Sequence, residues 1–145
     1  MTDDHPHKKA FQATGLSGLA GAHFVCGELA RHGWIPTMTL GNMPKVDVMA
    51  LRLDPQRVVA IQVKTLKAQN RSYGWLIKKE NIVPTIFYTL VEMPDDGVAP
   101  KFFVLNSVEM ERYSDGHLKM NSVRLPRTEE GHFLGKWDRL LNPIA

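Results

Sequence analysis

Asp47, Gln62 and Lys64 are the residues of this chain whose types and spacing suit chemistry. Gln62 and Lys64 belong to the run Val58-Val59-Ala60-Ile61-Gln62-Val63-Lys64, which reads as a strand from its β-branched content. Side chains alternate between the two faces of a strand, so Gln62 and Lys64 project from one side. Val59, Ile61 and Val63 project from the other and are expected to be buried. An amide and an ammonium on one face of an otherwise apolar strand are costly to bury without partners. Asp47, between Val46 and Val48 on the preceding strand, has the same awkward character. The Asp54-Pro55-Gln56 turn makes the two strands a hairpin and carries Asp47 toward Gln62 and Lys64.

A carboxylate and an amide carbonyl are hard oxygen donors suited to Mg²⁺ (or Mn²⁺), with waters completing an octahedron. A lysine ammonium can hold a phosphate oxygen or help position and activate a water. Together the three describe metal-assisted phosphodiester hydrolysis, in which a metal polarises the phosphoryl group and acidifies the attacking water. The same residues also fit a plainer reading, a buried Asp–Lys pair that stabilises a hairpin.

The elements that must position them follow from the pattern along the chain. Residues 1–12 read as a flexible leader and residues 13–145 as one domain. Thr14 or Ser17 caps a helix running to about His32, with Gly33 as its stop. On a helical wheel Leu19, Ala22, Val25, Cys26 and Leu29 gather on one side, an apolar stripe for packing on something flat. Strand-like runs follow at Trp34 to Leu40, Lys45 to Leu53 and Arg57 to Leu66, the first two separated by Gly41, Asn42 and Pro44. The segment Lys67 to Tyr73 reads as a polar, basic loop. Pro84 to Val91 and Lys101 to Leu105 are two more strands, split by the Pro94-Asp95-Asp96-Gly97 turn. A short helix is expected from Ser107 to Tyr113 and a helical turn over Trp137 to Leu141; Ser114 to Phe133 carries no chemical signal. Helix, three strands, loop, two strands and helix make an α/β protein with a mixed sheet of about five strands.

The whole-chain balance sets wider bounds. Eighteen Lys and Arg against fifteen Asp and Glu give a net charge of +3, a mild bias toward anionic partners. No apolar run approaches the ~20 residues of a membrane helix, and the polar first ten residues do not resemble a secretory signal. The single cysteine, Cys26, excludes a disulfide or a cysteine-based metal cluster within the chain. A cytoplasmic protein with no membrane attachment is expected.

Asp47 followed by Gln62-Val63-Lys64 resembles the core signature of the PD-(D/E)XK nuclease superfamily, with Gln in the D/E position. Gly18-Leu19-Ala20-Gly21-Ala22-His23-Phe24-Val25, Glu28-Leu29 and Gly33-Trp34 are similar to the first helix of a bacterial group within it. Thr39 to Asp47, Trp75, and Phe102-Phe103-Val104-Leu105 extend the resemblance over about residues 14 to 110. It implies a restriction-endonuclease-like three-layer core and a Mg²⁺-dependent DNA endonuclease, with Asp47 and Gln62 as metal ligands and Lys64 on the scissile phosphate or its water. That group carries a glutamate directly after the Ala-Gly pair of the first helix, where this chain has Ala22. Glu28 lies about 240° further around the helix and points elsewhere, and His23 is about 100° off the stripe. Asp47 therefore supplies the only full negative charge of the site, and the alternative is a catalytically inactive module of the same fold that binds nucleic acid or a protein partner.

Lys67, Arg71, Lys78 and Lys79 flank the third strand, where a nucleic-acid backbone would pass in such a fold; each serves equally as part of a solvated basic face. Tyr73 and Trp75 are of the type that stacks on a base, but an aromatic after a strand is more often core, and Trp75 reads as packing. Cutting a duplex favours a homodimer, and the resemblance equally allows a subunit of a larger defence or mobile-element complex.

Overall fold

The computed structural model describes residues 6–39, 45–115 and 121–143. The turn expected at Gly41, Asn42 and Pro44 lies outside the described residues, as do Met1 to His5.

The first helix, α1, spans Pro6–Arg31 and begins earlier than Thr14 or Ser17, within the stretch read as a leader. Its end is the expected one. Gly33 takes φ +85°, the Trp34 N–H donates to the Leu29 carbonyl at 2.9 Å, and the Gly33 N–H donates to that of Ala30 at 3.2 Å. A glycine accepts this left-handed turn without the steric cost that a Cβ brings.

Five strands follow in one mixed sheet: β1 (Ile35–Met38), β2 (Val48–Leu53), β3 (Gln56–Lys67), β5 (Phe87–Met93) and β6 (Lys101–Leu105), in the order β1-β2-β3-β5-β6. All neighbours are antiparallel except β3 and β5, which run parallel. β2 and β3 form the expected hairpin, turned by Asp54 and Pro55. Pro36 lies in β1 at the sheet edge, where a missing N–H costs least.

Between β3 and β5 the chain makes a 3-10 turn over Ala68–Tyr73, the two-residue strand β4 (Trp75–Leu76) and a second turn over Lys79–Asn81. After β6 come α2 (Ser107–Arg112), β7 (Ser114–Asp115), β8 (Ser122–Val123) and a closing 3-10 turn at Trp137–Leu141. The featureless stretch after Tyr113 thus supplies two strands of a second, three-stranded sheet, ordered β4-β8-β7. Asn106 caps α2 reciprocally: its side chain accepts from the Glu109 N–H, and its own N–H donates to the Glu109 carboxylate, both at 2.9 Å.

The main sheet is covered by α1 on one face and, over β5 and β6, by the second core on the other. Val25 and Leu29 of α1 pack with Val48, Val59, Ile61, Val91, Val104 and Trp137 on one face. On the other, Tyr88, Leu90, Phe103 and Leu105 pack with Trp75, Met110, Val123 and Phe133. The stripe on α1 is confirmed at Ala22, Val25 and Leu29, with Cys26 partly buried, but Leu19 is exposed. Helix and sheet first meet tightly at Gly21, where a Cβ would fall 1.9 Å from the Thr65 hydroxyl oxygen; Leu16 and Leu19 precede that contact and stay in solvent. No helix among the described residues is long and apolar enough to cross a membrane.

Candidate functional site

The β2–β3 hairpin delivers Asp47 to the middle of β3. Its backbone is held on both sides: the Asp47 N–H donates to the Ile61 carbonyl at 2.9 Å, and the Asp47 carbonyl accepts from the Thr39 N–H at 3.0 Å. The side chain then turns onto β3, where Oδ2 accepts the Val63 N–H at 2.8 Å. That N–H belongs to the peptide joining Gln62 to Val63, so the carboxylate sits between the two other candidate residues. Its second oxygen has no hydrogen-bond partner among the described residues.

Gln62 and Lys64 project from the face of β3 opposite α1, as strand alternation requires. Cross-strand register gives each an apolar row to end: Leu105, Tyr88 and Gln62 in one, Phe103, Leu90 and Lys64 in the next. The polar pair thus marks where the second core stops. The Gln62 Oε1 atom is buried with no hydrogen-bond partner, a state rare enough in proteins to require an explanation. Lys64 is half-buried and makes no hydrogen bond or ion pair among the described residues. A buried Asp47–Lys64 pair, the plainer reading of these residues, is therefore not formed.

Beside Gln62 and Lys64 lies a cavity of about 410 Å³. Leu76 and Ile77 line one wall, and Lys45, Lys78, Asn81 and Asn121 complete the lining. The second sheet builds that wall: Leu76 pairs with Ser122, and the Ile77 N–H donates to the Asn121 carbonyl at 3.1 Å. Lys45 adopts φ +65°, in the left-handed region that non-glycine residues seldom enter. Among the described residues no carboxylate lines the cavity.

The four flanking basic residues go to four different places. Lys78 lines the cavity. Lys79 is exposed in the next turn and does not. Lys67 is exposed at the end of β3 on the face opposite Lys64, because it is three residues away on an alternating strand. Arg71 departs most clearly from a solvated basic face, for it is buried and three of its N–H groups are engaged within the protein. Its guanidinium donates to Glu92 at 3.0 Å, to Glu130 at 2.8 Å and to the Leu125 carbonyl at 2.8 Å, and lies over the rings of Trp75 and Phe103. A cation so held braces the fold, its charge already matched by two carboxylates and its side chain only 7% exposed. Trp75 is core, with its indole N–H donating to the Val91 carbonyl at 3.0 Å.

Sequence reasoning missed Lys45, Asn81 and Asn121 as cavity residues. Lys45 is two residues before Asp47, a separation that gives no hint of an unusual backbone angle. The two asparagines come together only through the second sheet and its neighbouring turn.

Glu28 pairs with Arg31 at 2.8 Å and stands away from this site, and His23 is exposed. Ala22 is buried next to the Gly21–Thr65 contact, so a longer side chain at this position would have to be accommodated against β3. The second Asp47 oxygen and the orphaned Gln62 Oε1 are two hard donors beside one peptide, a set that fits a largely hydrated Mg²⁺ or Mn²⁺. Among the described residues no three His, Cys, Asp or Glu side chains converge as a metal-binding group. Tyr88, beside Gln62 in the sheet, has its phenol pushed up by burial, partly offset by the Val83 N–H that donates to it at 2.7 Å.

The fold and site define an α/β protein whose mixed sheet ends two apolar rows in a polar pair beside a basic cavity. No protein-family model, no curated protein and no solved structure matches the chain.

Proposed function

We propose that this chain is a DNA endonuclease of restriction-endonuclease-like fold, hydrolysing phosphodiester bonds with Mg²⁺ or Mn²⁺. One observation carries the reading: the Asp47 carboxylate is hydrogen-bonded to the peptide N–H between Gln62 and Lys64, and these two residues, the first with an unbonded Oε1, line a cavity with Lys45 and Lys78. Asp47 and Gln62 would hold the ion, which supplies charge neutralisation and a more acidic water. The chain's own contributions are positional. The Val63 N–H holds the Asp47 carboxylate, and strand alternation directs Gln62 and Lys64 to one face. The Lys64 ammonium donates to a non-bridging phosphate oxygen or to the attacking water. Duplex cleavage needs two such sites, as in a homodimer or a subunit of a larger defence or mobile-element complex, and a cytoplasmic setting suits a DNA substrate.

The test is incubation of supercoiled, branched and single-stranded DNA with Mg²⁺ or Mn²⁺, with Lys64→Ala and Asp47→Asn alongside. Cleavage by the native chain that both variants lose supports the proposal; cleavage that survives either variant refutes this site.

A second reading, an inactive nucleic-acid-binding module, is favoured by one feature. Buried Ala22 stands where the resembling group has a glutamate, leaving a single carboxylate to hold a dication. Ala22→Glu discriminates, since strong gain of cleavage identifies the missing acid as limiting. Salt-sensitive DNA retention without cleavage in either form favours the module.

A further inference from the structure

We propose that the cavity beside Lys64 holds one unpaired nucleotide of a DNA strand, so that the protein prefers DNA containing an unstacked base to a fully paired duplex. This rests on reading the site as one that acts on nucleic acid, but not on its being catalytically active.

The lining divides into three chemistries. Lys45, Lys64 and Lys78 present ammonium groups, and no carboxylate among the described residues joins them in the lining, which selects an anion. A phosphate alone would be satisfied by those groups. It would leave unused the amides of Gln62, Asn81 and Asn121, which carry paired donors and acceptors of the kind that read base edges. It would also leave unused the apolar wall of Leu76 and Ile77. Leu76 is 68% exposed, although it is a large apolar residue in a strand at the cavity wall. An exposed apolar side chain beside polar amides and cations suits the flat face of a base, with its edge and phosphate met on either side. The volume of about 410 Å³ exceeds what a phosphate needs and falls within the range of small-ligand sites, roughly 300–1,000 Å³.

The buried Gln62 Oε1, the atom that the proposed function gives to the metal, also lacks a donor when no metal is bound. An oxygen with no partner inside the protein is satisfied when a ligand N–H, or a metal ion, reaches it. In a paired duplex the Watson–Crick edge is occupied and the base face is stacked, so only a nucleotide out of the stack can offer that edge to the amides and its face to Leu76 and Ile77 together. The second sheet builds this wall: β4 carries Leu76, and Ile77 and Asn121, flanking β4 and β8, are joined by a backbone hydrogen bond of 3.1 Å.

The experiment is equilibrium binding in EDTA, where no metal-dependent cutting occurs. A fluorescent duplex with one unpaired adenine is compared with the same duplex fully paired, and dAMP, deoxyadenosine and inorganic phosphate serve as competitors. Binding of the unpaired-adenine duplex is expected to be roughly tenfold tighter. dAMP should compete better than deoxyadenosine or phosphate, because it alone offers both base and charge. The double variant Asn81→Ala/Asn121→Ala, checked for an unchanged melting temperature, should bring the ratio of the two affinities close to unity. Lys78→Ala should weaken both duplexes and flatten their salt dependence. Equal affinity for the two duplexes, competition by phosphate as strong as by dAMP, or a ratio that survives the double variant overturns the proposal. A chain that fails to cleave DNA yet shows the preference loses the endonuclease reading and keeps this one; a chain that cleaves without the preference does the reverse.

Discussion

Two basic clusters lie beside the middle of the sheet, and they are opposites. In the first, Arg71 is 8% exposed and is gripped by Glu92, Glu130 and a backbone carbonyl, with Arg127 completing the network at 3.6 Å from Glu92. In the second, Lys45, Lys64 and Lys78 line a cavity that no carboxylate among the described residues lines. The first cluster spends its charge inside the protein, tying the loop after β3 to β5 and to the segment around Glu130. The second leaves its charge directed at whatever fills the cavity. A basic residue near a candidate site is informative only once its partners are known.

The comparison breaks most sharply at Arg71. Arg71→Ala leaves Glu92, 5% exposed, with only the peripheral Arg127, and is expected to destabilise the fold by about 3–5 kcal/mol. Urea denaturation measures this, and DNA retention per folded molecule should not change. Arg71→Lys should recover only part of the loss, because an ammonium cannot reproduce the forked donors.

Next in size is the helix–sheet contact. Gly21→Ala places a methyl 1.9 Å from the Thr65 hydroxyl oxygen and should cost about 1–3 kcal/mol. The double variant Gly21→Ala/Thr65→Ala should recover stability by removing the obstructing oxygen; failure to recover would put the strain in the backbone instead. Asp47 belongs to both worlds. Asp47→Ala strands the Val63 N–H and should cost about 1–2 kcal/mol as well as cleavage. Asp47→Asn keeps an acceptor for that N–H and should lose cleavage with little change in the urea midpoint. Equal destabilisation by the two would mean that the charge itself holds the fold.

The smallest stability effects belong to the lysine cavity. Lys45→Ala and Lys78→Ala should each change stability by no more than about 0.5 kcal/mol. Each should lower the slope of log affinity against log salt by about one unit if it meets a phosphate. Stability loss as large as that of Arg71→Ala would erase the distinction between the clusters.

Much of the sheet was legible because its signals are local. The five strand runs, the Asp54-Pro55 hairpin and the Gly33 stop rest on alternation, turn residues and one left-handed angle, all set by neighbours in sequence. The length of α1 was not legible: its polar start lacks the apolar periodicity by which a helix is read, and Leu19 showed that a wheel cannot tell where a helix leaves the sheet. The second sheet escaped because its strands are two residues each, too short for any period to show. Asp47, Gln62 and Lys64 could be singled out since a polar group in an apolar strand is conspicuous by itself. Lys45, Asn81 and Asn121 could not, being ordinary surface letters until the fold collects them.

The sequence by itself determined which residues alternate across β3, and so put Gln62 and Lys64 on one face, because a strand's side-chain direction depends only on parity along the chain. Tertiary structure alone decided which charges are spoken for. Arg71 and its partners at positions 92, 125 and 130 are between 21 and 59 residues apart in sequence, and their pairing depends on how β5 and the C-terminal segment close over the loop. Burial is a property of that closure, and burial is what separates a cation that braces the fold from one left facing a cavity.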